Sequence, residues 1–179
     1  MRVIVRGVSK TFVGPRGEFT ALNGVTLDIW DRECMGIVGP NGCGKTTLLH
    51  IIAGLEKPTE GSVEFVGAQR GDSRVSMVFQ DPALMPWRSV EDNVPLGVEF
   101  RGASRGVAKK VADTFLRLVN LQRFGKASPE ALSGGMKQKA SLARALANAP
   151  EVLLMDEPFA NIDAQTRALL RQEDRKSVV

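Results

Sequence analysis

The chain has little histidine and cysteine, and it has no long apolar run. His50 is the only histidine among 179 residues, which argues against a histidine-based metal site or a histidine-dependent catalytic triad. Cys34 and Cys43 are too few and too close in sequence for a disulfide framework, so reduced thiols are expected. No apolar stretch approaches the roughly 18 residues of a membrane span, and the start MRVIVRGVSK does not resemble a signal peptide. We therefore expect a cytosolic protein.

Strong charge bias is also absent. The net charge is +4, with an excess of one basic residue in 1–90 and of three in 91–179. Because no basic tail or stripe results, nucleic-acid binding is not expected despite a pI of about 9.3. The content of 43% hydrophobic and 25% charged residues is ordinary for one globular domain of this length.

Hydrophobic periodicity predicts an α/β chain with a parallel sheet. Residues 2–8 and 25–30 alternate apolar and polar side chains, as half-buried strands do, with GPRGE as the turn between them. The continuous apolar run 34–39 predicts a strand buried on both faces, followed by a helix from Lys45 that Gly54 or Pro58 ends. The other predicted strands cover 62–67, 74–80 and 151–158, and the other predicted helices cover 107–121, the residues after LSGG, and 163–174.

The stretch GPNGCGKT, residues 39–46, matches G-x-x-x-x-G-K-[ST] between a predicted strand and a predicted helix. Glycines allow consecutive backbone N–H groups to surround phosphate oxygens, and the helix N-terminus adds positive charge. Lys45 would reach the β and γ phosphates, and the Thr46 hydroxyl would ligate magnesium. An ordinary glycine-rich turn is the alternative, which this context disfavours.

The strand VLLM ends in two carboxylates. Beside a phosphate loop, Asp156 would lie near the magnesium ion, and Glu157 would polarise a water for attack on the γ-phosphate. Without that loop, a solvated strand end would be the better interpretation. Gln80 could reach the same cation, although a polar cap is the simpler reading of a glutamine there. Phe12 by itself would be assigned to the core.

The stretch LSGGM, residues 132–136, predicts a second anion site. Ser133 can cap a helix, and Gly134 and Gly135 leave its first turn bare. A long helical insertion separates this stretch from the phosphate loop, so the two need not face the same phosphate group.

These motifs together carry a resemblance to a known family. LSGGMKQKASLARALANAPEVLLMDEPFANID resembles the signature-to-Walker B block of ABC-type ATPase domains. MVFQDPALMPWRSVEDNV resembles the glutamine-loop segment of importers of the nitrate, sulfonate and taurine type. The similarity runs from about residue 2 to about residue 170, with four motifs in the family's order.

The resemblance implies an α/β P-loop NTPase (RecA-like) core with a parallel sheet, an N-terminal antiparallel β part and a helical subdomain. Residues 1–179 would form a single ABC ATPase domain, with 1–81 and 150–179 as its nucleotide-binding core and about 82–149 as the helical signature subdomain.

The resemblance also assigns roles to individual residues. Phe12 would stack on adenine, Glu157 would be catalytic, and Asp163 would lie in the loop that crosses the dimer. The magnesium ligands would be Thr46, Gln80 and Asp156. The full set of nucleotide-binding residues would be Phe12, Gly39, Pro40, Asn41, Gly42, Cys43, Gly44, Lys45, Thr46, Thr47, Gln80, Ser133, Gly134 and Gly135.

Cofactors and partners follow from the same resemblance. Two chains would meet head to tail as a homodimer and trap two molecules of ATP with Mg²⁺. Residues 82–88 would contact an integral membrane permease. Through the permease, the chain would be linked to a solute-binding protein. The chain would then act at the cytoplasmic side of the cell membrane. For Trp87, burial in the core is the competing interpretation.

The C-terminus departs from the family pattern. No residue matches the family's switch histidine, and His50 lies in the predicted helix after the phosphate loop. The crossover from Pro158 to Arg175 is short for a helix between parallel strands. We therefore expect the C-terminal end to be incomplete and hydrolysis to be weakened. The alternatives are a domain that binds ATP with little or no hydrolysis and, less favoured, a soluble ABC protein that acts on nucleic acid.

Overall fold

The computed structural model describes residues 1–15, 17–67 and 75–157. The chain divides into two compact units, Met1–Val75 and Ser76–Val179. The predicted helix over 163–174, Asp163 and the terminal KSVV lie outside the described residues. The predicted division into a core and a subdomain at about residues 82 and 149 stays a prediction.

A three-stranded antiparallel sheet forms the body of the first unit. Strands β1 (Arg2–Gly14) and β2 (Gly17–Ile29) make a hairpin, and β3 (Glu60–Val66) pairs with the other edge of β1. The predicted strands at 2–8, 25–30 and 62–67 are confirmed, and the hairpin strands are longer than predicted. Their buried side chains include those of Val3, Ile4, Val5 and Val8.

Helix α1 (Lys45–Ile52) begins at the predicted residue. Leu48, Ile51 and Ile52 are buried, and their spacing places them on one helical face. Gly54, with a φ of 73°, follows the helix end, where a left-handed conformation is common and favours glycine. Both predicted limits of this helix are therefore confirmed.

The strand predicted over residues 34–39 is wrong. These residues have no regular secondary structure, and Val38 is 96% exposed. A short apolar run becomes a strand only when another strand supplies its hydrogen bonds. The strands described in this unit pair with one another and leave none beside residues 34–39. Met35 and Ile37 are exposed as a result.

The second unit combines a small sheet with four α-helices and two short 3-10 helices in its described part. Strands β4 (Val75–Val78) and β5 (Val152–Met155) form a two-stranded sheet. Helices α4 (Arg105–Leu118) and α5 (Gly134–Ala147) correspond to the predicted helices at 107–121 and after LSGG. Two short helices, α2 (Val90–Asn93) and α3 (Leu96–Phe100), were not predicted, because each is too short for a helical period to show.

Helix α5 is the centre of this unit because it is buried on two sides. Ala140, Ala143 and Ala147 belong to a core cluster that includes residues of α2 and α4. Leu142 and Ala145 pack with Val78 of β4. Small side chains let neighbouring elements approach α5 closely, so this helix fixes the sheet and the other helices together. None of the helices in the described ranges is both long and apolar enough to cross a bilayer.

Candidate functional site

The loop of residues 39–47 has the geometry of a phosphate cradle. Gly42 and Gly44 adopt positive φ values of 80° and 97°, which other residues rarely adopt. The Lys45 ammonium donates to the carbonyl oxygens of Gly39 and Pro40, both at 2.9 Å, so the cation lies over the curve of the loop. No side chain caps α1, and its first turn has no acidic residue. The N–H groups and positive dipole of this helix end are therefore available to an anion.

Gly44 also allows the loop to lie directly against the hairpin. A Cβ atom added there would stand 2.5 Å from the carbonyl oxygen of Ala21 and 2.8 Å from Cδ2 of Leu22. Such contacts are closer than atoms can tolerate without movement of the backbone. The glycine is therefore required for conformation and for space.

Replacing Gly44 with alanine is expected to lower the free energy of unfolding by about 2 kcal/mol or more. It should also weaken ATP binding, because relief of the clash moves the loop. Urea denaturation and titration calorimetry would measure the two effects. Gly106→Ala in α4 is the matched control, since its Cβ would meet nothing within 4 Å. That change should stabilise the chain by up to about 1 kcal/mol. Unchanged stability and ATP affinity in Gly44→Ala would contradict this account.

The second unit places three predicted site residues at neighbouring strand ends. Gln80 follows β4, while Asp156 and Glu157 follow β5 directly. The Asp156 backbone N–H donates to the carbonyl of Val78 at 2.9 Å. Asp156 is only 5% exposed. The Gln80 amide nitrogen donates to the Glu157 carboxylate at 3.4 Å. This leaves the amide oxygen as the Gln80 atom that could ligate a cation.

Glu157 has an unusual backbone conformation for a residue with a side chain. Its φ is 46°, in the left-handed region. Such a conformation costs about 1 to 3 kcal/mol in a non-glycine residue and is common at functional sites. The Glu157 side chain is exposed, and its carboxylate accepts the hydrogen bond from Gln80.

The donor chemistry of the predicted metal ligands fits Mg²⁺. Thr46, Gln80 and Asp156 offer a hydroxyl, an amide and a carboxylate oxygen, which are the hard ligands that this ion prefers. Thr46 lies exposed in the first turn of α1, in the first unit, and the other two lie at the strand ends of the second unit. Their role as ligands stays a prediction.

LSGGM forms the start of α5, as predicted. The Ser133 hydroxyl accepts a hydrogen bond from the Met136 N–H at 3.4 Å and so caps the helix. Ser133 and Gly134 are exposed, Gly135 is half-buried, and the first turn carries no acidic residue. A bare and exposed helix start is a second place where an anion is favoured.

Two residues of α5 that the sequence did not single out bond to the chain on either side of Gln80. Buried Gln138 donates to the carbonyl of Phe79 at 3.1 Å. Arg144 donates to the carbonyls of Ala83 and Pro82 at 2.8 and 3.0 Å. Burial lowers the pKa of the Arg144 guanidinium below its usual value. The helix that begins at LSGGM is thus bonded to the segment that carries Gln80.

The segment from Pro82 to Arg88 continues into a groove beside the short helices. Trp87 is 78% exposed, so its alternative assignment to the core is wrong. Arg88 forms an ion pair of 2.7 Å with Glu99. The groove has a volume of about 1070 Å³ and is lined by residues of α2, α3 and α4 together with Trp87 and Arg88. The loop therefore presents a tryptophan at the edge of an open groove.

Phe12 lies in β1 and is 40% exposed, so it is not a core residue either. It belongs to the first unit with the phosphate loop, whereas Gln80, Asp156, Glu157 and the LSGGM residues belong to the second. The sequence predicts a role in nucleotide binding or catalysis for each of them. Those roles, taken residue by residue, stay predictions.

Comparison with known proteins relates this chain to the ATP-binding parts of ABC transporters at the level of the family model, of individual sequences and of solved structures. A family model described as ABC transporter matches residues 22–160. An uncharacterized ABC transporter ATP-binding protein of Methanocaldococcus jannaschii is 44% identical, over 97% of this chain and 66% of that protein. A probable sulfate/thiosulfate import ATP-binding protein of Chlorella vulgaris is 42% identical, over 96% and 73% of the two chains. A nitrate import ATP-binding protein of Synechocystis is 40% identical, over 96% and 65%. The chain spans about two thirds of the length of these relatives.

A solved structure supports the fold. It is a dimeric ATP-binding cassette in a post-hydrolysis state, bound to ADP and Pi, with a TM-score of 0.88 and 34% identity. The match covers 98% of this chain and 84% of that one. The predicted α/β P-loop NTPase fold is thereby confirmed. On the family model and these relatives, the chain belongs to the ABC transporter family as an ATP-binding domain.

Proposed function

We propose that the chain binds and hydrolyses ATP and couples this reaction to solute import through a membrane permease. The observation that carries the proposal is the cradle around Lys45, combined in one chain with a Glu157 carboxylate held by Gln80. The named relatives that import nitrate and sulfate or thiosulfate support an oxyanion importer of the nitrate, sulfonate and taurine type. The chain would act at the cytoplasmic face of the membrane.

The proposed chemistry assigns a task to each group. Lys45 and the N–H groups of residues 39–47 bind and orient the phosphates, and Glu157 accepts a proton from the attacking water. Gln80 orients the Glu157 carboxylate through the 3.4 Å hydrogen bond. Thr46, Gln80 and Asp156 would hold Mg²⁺, which when bound supplies positive charge to the β and γ phosphates.

The LSGGM helix start is proposed to act on a second copy of the chain. Its Ser133 and Gly134 are exposed, and two such chains would pair head to tail so that this helix end completes the other copy's phosphate site. The dimeric state of two similar solved cassettes supports this arrangement. ATP-dependent dimerisation, followed by sedimentation at several chain concentrations, tests it.

The permease is proposed to occupy the groove beside Trp87, with a solute-binding protein engaged through the permease. Trp87→Ala should weaken association with the permease by roughly 30-fold, because an exposed tryptophan at a groove is typical of an interface anchor. ATP affinity should stay unchanged. Copurification from membranes, quantified against ATP binding by the same samples, measures both.

The control for this experiment is Phe124→Ala. Phe124 is 44% exposed, lies in the same unit and does not line the groove, so its loss should leave the association intact. Equal loss of the permease from both variants would contradict a specific role for Trp87. Retention of the permease by Trp87→Ala would contradict the proposed docking site.

A further inference from the structure

The β1–β2 hairpin carries a second exposed aromatic ring that the motifs do not account for. Phe19 in β2 is 61% exposed and stands directly opposite Phe12 in the antiparallel register. Residues opposite one another in such a pair share a face of the sheet, with Cβ atoms about 4.5 to 5.5 Å apart. The next pair, Thr11 and Thr20, lies on the other face, where the two hydroxyls are 3.2 Å apart. Phe12 and Phe19 are therefore neighbours on one exposed face.

This aromatic face belongs to the strand that the phosphate loop touches. The close approach of Gly44 to the Ala21 carbonyl places the N-terminus of α1 against β2. Ala21 follows Phe19 by two residues, which corresponds to about 7 Å along a strand. A ligand whose phosphates are bound in the loop of residues 39–47 would therefore start beside β2, the strand that carries Phe19.

One side of the Phe12 ring already has a partner. The Lys10 ammonium lies 4.9 Å from the ring centroid and is held there by Glu56 at 2.6 Å and by the Lys57 carbonyl at 2.9 Å. These two hydrogen bonds fix the position of the Lys10 ammonium beside Phe12. The cation in turn favours one orientation of the ring. Phe12 and Phe19 thus present two exposed rings side by side on one face of the hairpin.

We propose that Phe19 is a second base-contacting residue, which together with Phe12 forms a platform for the purine base of a nucleoside triphosphate. The inference rests on the proposed nucleotide-binding function and adds to it a residue and a base preference. Aromatic rings bind bases by stacking, without reading their hydrogen-bonding edges. A bicyclic purine can cover both rings, whereas a single-ring pyrimidine covers one. The platform should therefore favour ATP over UTP.

The test compares binding of MgATP, MgUTP and inorganic tripolyphosphate by titration calorimetry. In Phe19→Ala, ATP affinity should fall about tenfold, the preference for ATP over UTP should shrink, and tripolyphosphate affinity should stay the same. Phe19→Tyr should retain ATP affinity. Phe19→Leu, which keeps apolar bulk but loses the flat ring, should resemble the alanine variant. Thr20→Ala, on the opposite face of the same strand, is the control and should bind like the wild type.

Several results would overturn the proposal. An ATP affinity of Phe19→Ala within twofold of the wild type would show that the ring does not contact the base. An equal fall in tripolyphosphate affinity would mean that the substitution distorts the loop. A change of oligomeric state with unchanged ATP affinity would identify an association surface instead. If the wild type binds neither tripolyphosphate nor ATP, the proposed nucleotide-binding function is wrong, and the proposed role of Phe19 is wrong with it.

Discussion

Replacing Glu157 with glutamine is expected to slow ATP hydrolysis by about a hundredfold or more while ATP still binds. Glutamine cannot accept a proton from water, and a positioned general base contributes about 10² to 10⁴ to a reaction rate. The residues of the phosphate cradle belong to the other unit of the chain and are not altered by the substitution, so ATP binding should be retained. Phosphate release in a single turnover and equilibrium binding of MgATP measure the two quantities separately.

Glu151→Gln provides the matched control, because Glu151 is exposed and directly precedes the same strand. Its hydrolysis rate should equal that of the wild type. Wild-type turnover in Glu157→Gln would remove Glu157 from the mechanism. A wild-type chain that binds ATP but releases no phosphate would instead establish the alternative of a domain without turnover. Phosphate release that disappears only in Glu157→Gln excludes that alternative.

Replacing Asn93 with alanine is expected to lower the free energy of unfolding of the second unit by about 3 to 5 kcal/mol. Asn93 is fully buried, and its amide oxygen accepts from the Met85 N–H at 2.7 Å. Its amide nitrogen donates to the carbonyls of Met85, Arg88 and Ser89, at 3.1, 3.2 and 2.9 Å. Alanine would leave these partly buried backbone groups without their partner, and each such loss costs about 1 to 3 kcal/mol.

Urea denaturation in a Trp30→Phe background would follow this change, since the remaining tryptophan, Trp87, lies in the loop that Asn93 holds. Because that loop presents Trp87 to the groove, association with the proposed permease partner should be lost as well. Gln122→Ala removes an exposed amide from the same unit and should alter stability by less than about 0.5 kcal/mol. An equal effect of both substitutions would show that the buried hydrogen bonds are not what stabilises the loop.

The elements that the sequence predicted are those with a local signal. The hairpin, α1 and the helix after LSGG each combine a periodic apolar pattern with glycine or serine at an end, and these patterns require no distant partner. The run 34–39 has an equally strong apolar signal but no local determinant of pairing, and it is not a strand. A strand depends on a second strand for its hydrogen bonds, so its sequence alone is insufficient.

The polar residues that hold the candidate site were missed for a similar reason. Gln138 and Arg144 lie far in sequence from the carbonyl groups that they bind, whereas Asn93 binds carbonyl groups a few residues before it, and no motif marks any of the three. Burial was the available signal, because Gln138 lies four residues before Leu142 and seven before Ala145 on a buried side of α5. A polar side chain on such a side must find a partner.

The sequence by itself determined the chemistry of this protein. The glycines, the lysine and the threonine of residues 39–47 predict a phosphate loop. The carboxylates after VLLM predict a catalytic strand end, and the serine and glycines of LSGGM predict a bare helix start. These functions depend on residue type and short-range spacing, which a sequence shows directly. Only the tertiary structure decided what lies beside each of them. These neighbours are set when packing brings together segments that lie apart in the sequence. They are Gly44 against Ala21, Gln80 beside Glu157, Arg144 bonded to the Ala83 carbonyl, and Phe19 opposite Phe12.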